Sequence, residues 1–192
     1  MGKKIDIVRT ASHLFVTQGF DGTTTAQIAR EANATEPLIF YHFKGKDDLF
    51  SYILKTGTDK FFAGLEAHKK DTETEFEKIK NYINFNLRYV GKNPDESFLV
   101  ISACPAKFAD PDHICQKIIK RHKQIIESYL RDCVKEGIKK GEFLNVPVKE
   151  TVRLISLIVV GLMRQRSFQK KSTAGLNKTT IEFCRRSLLK NP

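Results

Sequence analysis

Apolar residues recur at intervals of three and four along almost the whole chain, and no sustained alternation of period two interrupts them, so the pattern predicts helices and no sheet. Ile5, Val8, Ala11, Leu14 and Phe15 form one face of a first helix that Gly19 stops. A short second helix is predicted over about 25–32 and a third over about 36–42. A fourth starts near Lys46, where Asp47 and Asp48 complement the positive end of the helix dipole. It carries Leu49, Phe50, Ile53, Leu54, Phe61 and Leu65 on one face until the polar run His68 to Glu75 breaks it. The fifth presents Phe76, Ile79, Ile83, Leu87 and Val90 and ends at Gly91-Lys92-Asn93-Pro94; a shorter one covers about 96–104. Asp110-Pro111 reads as an N-cap with proline at the first helical position, opening a long helix with Ile114, Ile118, Ile125, Tyr129 and Cys133 that runs to Gly141. Helices over about 147–169 and 174–190 complete the chain.

The second and third helices are short and close together. A helix-turn-helix needs a small residue where the helices cross, a turn residue that tolerates positive φ, and apolar anchors. Ala29 is the small residue, Asn33 the turn, and Ile28, Ile39 and Phe43 the anchors. Asparagine is among the few non-glycine residues that accept the left-handed region. Thr35 can cap the third helix, and Pro37 is tolerated in its first turn.

Leu14-Phe15, Gly19-Phe20, Gly22-Thr23-Thr24, Ile28-Ala29 and Phe40-Tyr41-His42-Phe43-Lys44-Gly45-Lys46-Asp47-Asp48-Leu49, taken in order and spacing, resemble the signature of the TetR family of helix-turn-helix transcriptional regulators. That resemblance covers about residues 5–54, and the remainder is similar only in its helical plan. It implies an all-α fold of about nine helices, with a three-helix DNA-binding domain at 1–46 and a larger ligand-binding and dimerisation domain at 47–192. It also implies a homodimeric repressor released from a palindromic operator by a small, mostly apolar ligand. Carried over position by position, Thr25 matches a hydroxyl that bonds a phosphate, and Lys46 a basic residue that grips the backbone just past the recognition helix. Tyr41 and His42 match residues that pack against or bond phosphates; Glu36, Pro37 and Leu38 match positions facing base edges. Thr35 and Lys44 complete the expected DNA-contacting set. The family usually has glycine where Asn33 stands and tyrosine where Phe40 stands, so one phosphate-contacting hydroxyl is lost. The residues by themselves leave other roles open. His42 and Tyr41 can be walls of the domain, and Lys3, Lys4 and Lys44 solvated charges. Glu36 can accept from cytosine N4 or serve only the helix dipole. Pro37 and Leu38 can touch thymine methyls, or Leu38 can fold back onto the core.

In the segment 147–169, Val152, Leu154, Ile155, Leu157, Ile158, Val159, Val160, Leu162 and Met163 leave little polar face, so that helix must be covered all round. One side then meets the core and the other a partner. The last helix joins it, and in the TetR plan the two pair with their copies in a four-helix dimer interface. The expected interface residues are Val152, Ile155, Val159, Leu162, Met163, Ile181, Cys184 and Leu188. The chain has 14 phenylalanines, most of them outside the helix-turn-helix, which suggests an aromatic-lined ligand cavity within 46–163. Phe61, Tyr82, Phe85, Asn86, Tyr89, Phe98, Cys104 and His122 are its candidate lining, with plain core as the alternative.

Composition alters this picture only in part. The chain has 192 residues, 41% hydrophobic and 29% charged, which fits a globular protein. No apolar run approaches the ~20 residues of a spanning helix. The start Met1-Gly2-Lys3-Lys4-Ile5-Asp6 has aspartate where myristoylation needs serine or threonine, so a cytoplasmic protein with no membrane partner is expected. A net charge of +11 suits nucleic acid, yet residues 1–50 hold six basic and six acidic side chains, and the surplus is densest between Arg164 and Lys190. A basic module binding RNA or an anionic membrane surface through that stretch is the alternative function; it would leave the helix-turn-helix signature a coincidence. Cys104, Cys115, Cys133 and Cys184 include no CxxC, and the histidines no HExxH, so neither metal nor cofactor is expected. With no GxGxxG, P-loop, GxSxG or close acid/base cluster, an enzyme is not expected either. The expected partners are operator DNA, a small-molecule effector and a second copy of the chain.

Overall fold

The computed structural model describes residues 2–68, 74–102, 105, 108–169 and 174–191. Among them run nine helices: α1 Lys3–Thr17, α2 Thr25–Glu31, α3 Glu36–His42, α4 Lys46–Glu66, α5 Glu75–Lys92, α6 Pro94–Ser102, α7 Ile114–Lys139, α8 Val148–Gln169 and α9 Ala174–Leu188. No described helix is long and apolar enough to cross a membrane. The chain divides into two compact units. The first contains the residues up to Lys60 together with Asp95–Ile119, the second Phe61–Pro94 with Lys120–Pro192.

The first unit is built on α1 to α3. Ile7, Ala11, Leu14 and Phe15 lie inward on α1, spaced as one helical stripe. Ile5, expected on that face, is 58% exposed, and the stripe starts instead at Ile7. Gln18 caps α1, and Gly19 turns the chain at φ +79, a conformation that favours glycine. At Gly22 a Cβ would fall 2.6 Å from the Gln18 carbonyl oxygen, so the tight turn there also requires glycine. Phe15, Phe20, Phe50 and Phe108 close the unit's centre, mostly edge to face, with ring centroids 5.0–5.6 Å apart.

In the second unit α5 turns Phe76, Ile79, Ile83, Leu87 and Val90 inward and packs against α8 and α9. Its N-terminus is capped twice. The Thr74 hydroxyl accepts from the Glu77 amide, and the Glu142 carboxylate accepts from the amides of Glu75 and Phe76 at 2.9 and 2.8 Å. Glu75, only 2% exposed, is bonded by Lys140 and Lys78. Burial pushes its carboxyl pKa up, but the two ammonium hydrogen bonds outweigh that and hold it below the usual range. Gly137 leaves room for the buried Phe143 ring, which a Cβ there would strike.

Helix α7 differs from the sequence reading. The Asp110 carboxylate takes the Asp112 amide at 2.8 Å, closing a separate turn, and the helix starts at Ile114. Its inward residues are Cys115, Ile126, Leu130, Cys133 and Val134. Ile114 and Ile125, expected inside, are 52% and 39% exposed, each one position ahead of the residue that is buried.

Candidate nucleic-acid interface

The turn between α2 and α3 is made by Asn33, whose φ of 49 is the left-handed conformation expected of it. Thr24 caps α2 by accepting from the Gln27 amide. Ile28, Ala29, Ile39 and Phe43 are buried together, so the two helices are held by the residues expected to anchor them. Lys3 ties the N-terminus to the turn, its ammonium donating to the Asn33 carbonyl at 2.8 Å. Lys4 lies over the rings of Tyr52 and Phe43, 4.4 and 5.2 Å from their centroids.

With Ile39 turned inward, α3 presents Pro37, Phe40 and Tyr41 to solvent, the last two 53% and 81% exposed. These positions are spaced i, i+3, i+4 and share one face. Leu38 is half-buried against the core, so it folds back, and His42 is half-buried with its ring edge against Tyr41 and Phe43. Thr35 occupies the N-cap position, exposed, but its hydroxyl makes no capping bond.

Three of the expected phosphate or base contacts have internal bonds. The Thr25 hydroxyl donates to the Glu36 carboxylate at 2.5 Å, joining the first residue of α2 to the first of α3. Lys46 bonds the Phe20 and Thr23 carbonyls at 2.7 and 2.8 Å and stands 4.4 Å over the Phe20 ring. It therefore clamps the α1–α2 turn to the start of α4. Lys44 is exposed, and its amide donates to Asp48.

The candidate ligand residues are drawn from both units. Phe61 is the hub of an aromatic group in the second unit, meeting Phe62, Phe85, Tyr89 and His122 at centroid distances of 4.9–5.5 Å. Tyr82 and Asn86 are buried in the same unit, where the Asn86 amide donates to the Tyr82 carbonyl at 2.7 Å and burial raises the phenol pKa. The His122 Nδ1 is buried without a hydrogen-bond partner, and burial pushes the imidazole pKa down to about 4, so the ring is neutral. Phe98 packs on the core of the first unit. Cys104 lies outside the described residues.

The expected interface residues lie mostly inward in the single chain. Val152, Ile155, Val159, Leu162, Met163, Cys184 and Leu188 are buried in the single chain, and Ile181 is half-buried. What α8 and α9 leave exposed is Leu154, Leu157, Val160, Leu176 and Phe183. Ile158, Leu176, Thr179, Thr180 and Phe183 line a shallow apolar groove between the two helices. A helix apolar all round signals two covered sides, but the sequence does not say which side meets its own core. Part of the basic surplus is also paired, because Arg185 and Arg186 both bond Glu182, whose pKa their hydrogen bonds lower to about 2.

Phe40, which the resemblance marks only by its missing hydroxyl, shares the exposed face of α3, and its i+3 spacing from Pro37 is the sequence signal for it. Residues 7–53 match the sequence model of the family described as bacterial regulatory proteins, tetR family. The chain is 24% identical over 163 residues to the HTH-type transcriptional regulator QacR of Staphylococcus aureus, covering 85% of each protein. Its fold is shared with the transcriptional regulator FadR from Bacillus subtilis in complex with stearoyl-CoA, at a TM-score of 0.76 and 17% identity over 94% of this chain and 96% of that one. It is shared equally with AibR in complex with isovaleryl coenzyme A and operator DNA, at a TM-score of 0.75 and 16% identity over 95% of each.

Proposed function

Because the chain belongs to the TetR family of helix-turn-helix transcriptional regulators, we propose that it is a cytoplasmic homodimeric repressor that binds a palindromic operator and is released by a mostly apolar ligand. The observation that carries this reading is α3 itself. A short helix anchored from behind by Ile39 holds Pro37, Phe40 and Tyr41 out to solvent, with the Thr35 hydroxyl beside them. That is a surface shaped to enter a major groove. Thr35, Tyr41, His42 and Lys44 are the proposed backbone contacts, and Glu36, Pro37 and Phe40 face the bases. Thr25 and Lys46 act through the bonds that fix Glu36 and the α1–α2 turn.

The dimer forms through the exposed apolar stripe of α8 and α9, with Leu154, Leu157 and Phe183 at its centre. The aromatic group around Phe61 takes the effector, and the neutral His122 gives it one polar anchor. Fatty acyl thioesters, whose acyl chain is the apolar part that the aromatic group takes, are the first compounds to try, since FadR and AibR were solved with stearoyl-CoA and isovaleryl coenzyme A. Helix α4 starts at Lys46 and runs on to Glu66, so Phe61 lies on the helix whose first residue clamps the DNA-binding turn. A ligand shifts DNA affinity only if it prefers one disposition of that helix; a tenfold loss requires about 1.4 kcal/mol of preference.

The test is selection of bound duplexes from fragmented genomic DNA, followed by titration of acyl thioesters against the selected complex. An inverted repeat occupied by two chains and released by a thioester is expected. Binding without sequence preference would remove the operator reading, and a thioester that stabilises the chain yet leaves operator affinity unchanged would remove the coupling.

A further inference from the structure

Helix α3 has the sequence Glu36-Pro37-Leu38-Ile39-Phe40-Tyr41-His42. It contains no arginine, lysine, asparagine or glutamine, the side chains that make bidentate bonds to guanine and adenine in the major groove. Of its polar groups, the Glu36 carboxylate is already engaged by the Thr25 hydroxyl. Nearby on α2, the Gln27 amide is spent on Gln18 and Glu31. Besides the Tyr41 phenol, what stands out toward solvent on α3 is a pyrrolidine ring and a phenyl ring, Pro37 and the 53% exposed Phe40, one turn apart on one face. Neither ring can hydrogen-bond a base edge. The one apolar group that a base pair offers in the major groove is the 5-methyl of thymine.

We propose that Pro37 and Phe40 read the operator through thymine 5-methyl groups, so that each half-site is specified by methyl contact more than by hydrogen bonds. This rests on the reading of α3 as the element that enters the groove. Desolvating a methyl against a phenyl ring is worth what burying one CH2-sized group is worth, which corresponds to about fourfold in affinity. Several such contacts across two half-sites multiply into useful discrimination. Backbone contacts from Thr35, Tyr41 and Lys44 fix the register without adding sequence information.

The experiment uses the full chain and a duplex selected from a randomised pool. Each half-site thymine is replaced in turn by deoxyuridine, which deletes the methyl and leaves every hydrogen-bonding group in place. At least one position per half-site should lose about fourfold in affinity on replacement. In Phe40→Ala, which removes a half-exposed ring and leaves the core intact, the parent duplex should bind more weakly and the uracil duplex no worse than the parent duplex. Half-sites without thymine, or uracil duplexes bound as tightly as the thymine duplex, would overturn the proposal while sequence-specific binding stands. The same uracil penalty in Phe40→Ala as in the parent would overturn the assignment to Phe40. A chain that selects no duplex at all would overturn both this proposal and the operator reading beneath it.

Discussion

Lys46 fastens the α1–α2 turn to the start of α4. Its ammonium bonds two carbonyls, Phe20 at 2.7 Å and Thr23 at 2.8 Å, and stands over the Phe20 ring. Lys46→Met keeps an apolar stem and removes the charge. Each charge-assisted bond is worth about 1.5–3 kcal/mol and the ring contact about 0.5–1. Because the site is half-buried, water can reach the freed carbonyls and the terms do not add in full. We expect a net loss of about 3 kcal/mol. For a chain of this length that corresponds to a fall in Tm of about 6–12 °C. Thermal unfolding followed by circular dichroism measures it directly. Operator affinity should weaken, because Thr23 precedes the cap of α2, but the slope of log affinity against log salt should stay that of the parent. A lost phosphate contact would instead reduce that slope by about 0.9. An unchanged Tm together with a slope lowered by that amount would refute the clamp and restore Lys46 to the DNA backbone.

Leu157→Glu and Phe183→Glu, at exposed positions of α8 and α9, should give folded monomers in sedimentation, whereas Val159→Glu places an unpaired charge in the core at a cost of several kcal/mol and should aggregate; folded dimers from both exposed replacements would remove the proposed interface. His122 has its pKa lowered by burial to about 4, so the unfolded chain binds the proton more readily. Its contribution to stability is complete above about pH 6.5 and is lost as the pH falls from there through about 4, reaching at most about 3 kcal/mol. His122→Phe should flatten that part of a pH–Tm profile, and an identical profile would contradict the burial. Glu142→Ala removes the carboxylate that caps α5 and should lower stability by about 1–2 kcal/mol in a denaturant titration, with Glu142→Gln losing less.

Local spacing made the helix-turn-helix legible, since Asn33, Ala29 and Ile39 each meet a demand set within a few residues. The register of α7 was not, because an isoleucine at 125 and another at 126 satisfy the same helical period and only the packing of α7 against its neighbours chooses Ile126. The same holds for α8, where Val159 and Val160 differ in sequence by nothing that says which faces the chain's own core. Thr25 and Lys46 read as DNA contacts because the family resemblance gives those positions that role. Their internal partners, Glu36 and the Phe20 and Thr23 carbonyls, lie 11 to 26 residues away and come near only through the fold. Phe40 is not legible as a site residue for another reason: it stands where the family has a tyrosine and lacks that hydroxyl, and only the burial of its neighbour Ile39 shows its ring turned to solvent.

Sequence-specific hold on duplex DNA through α3 is put to the test by a competition between the selected duplex and a scrambled duplex of equal length at physiological salt. A preference of at least about a thousandfold for the selected duplex is expected, with two chains bound to each inverted repeat. Equal affinity for the two duplexes, both falling alike with salt, would mean that only the backbone is held, and would contradict it.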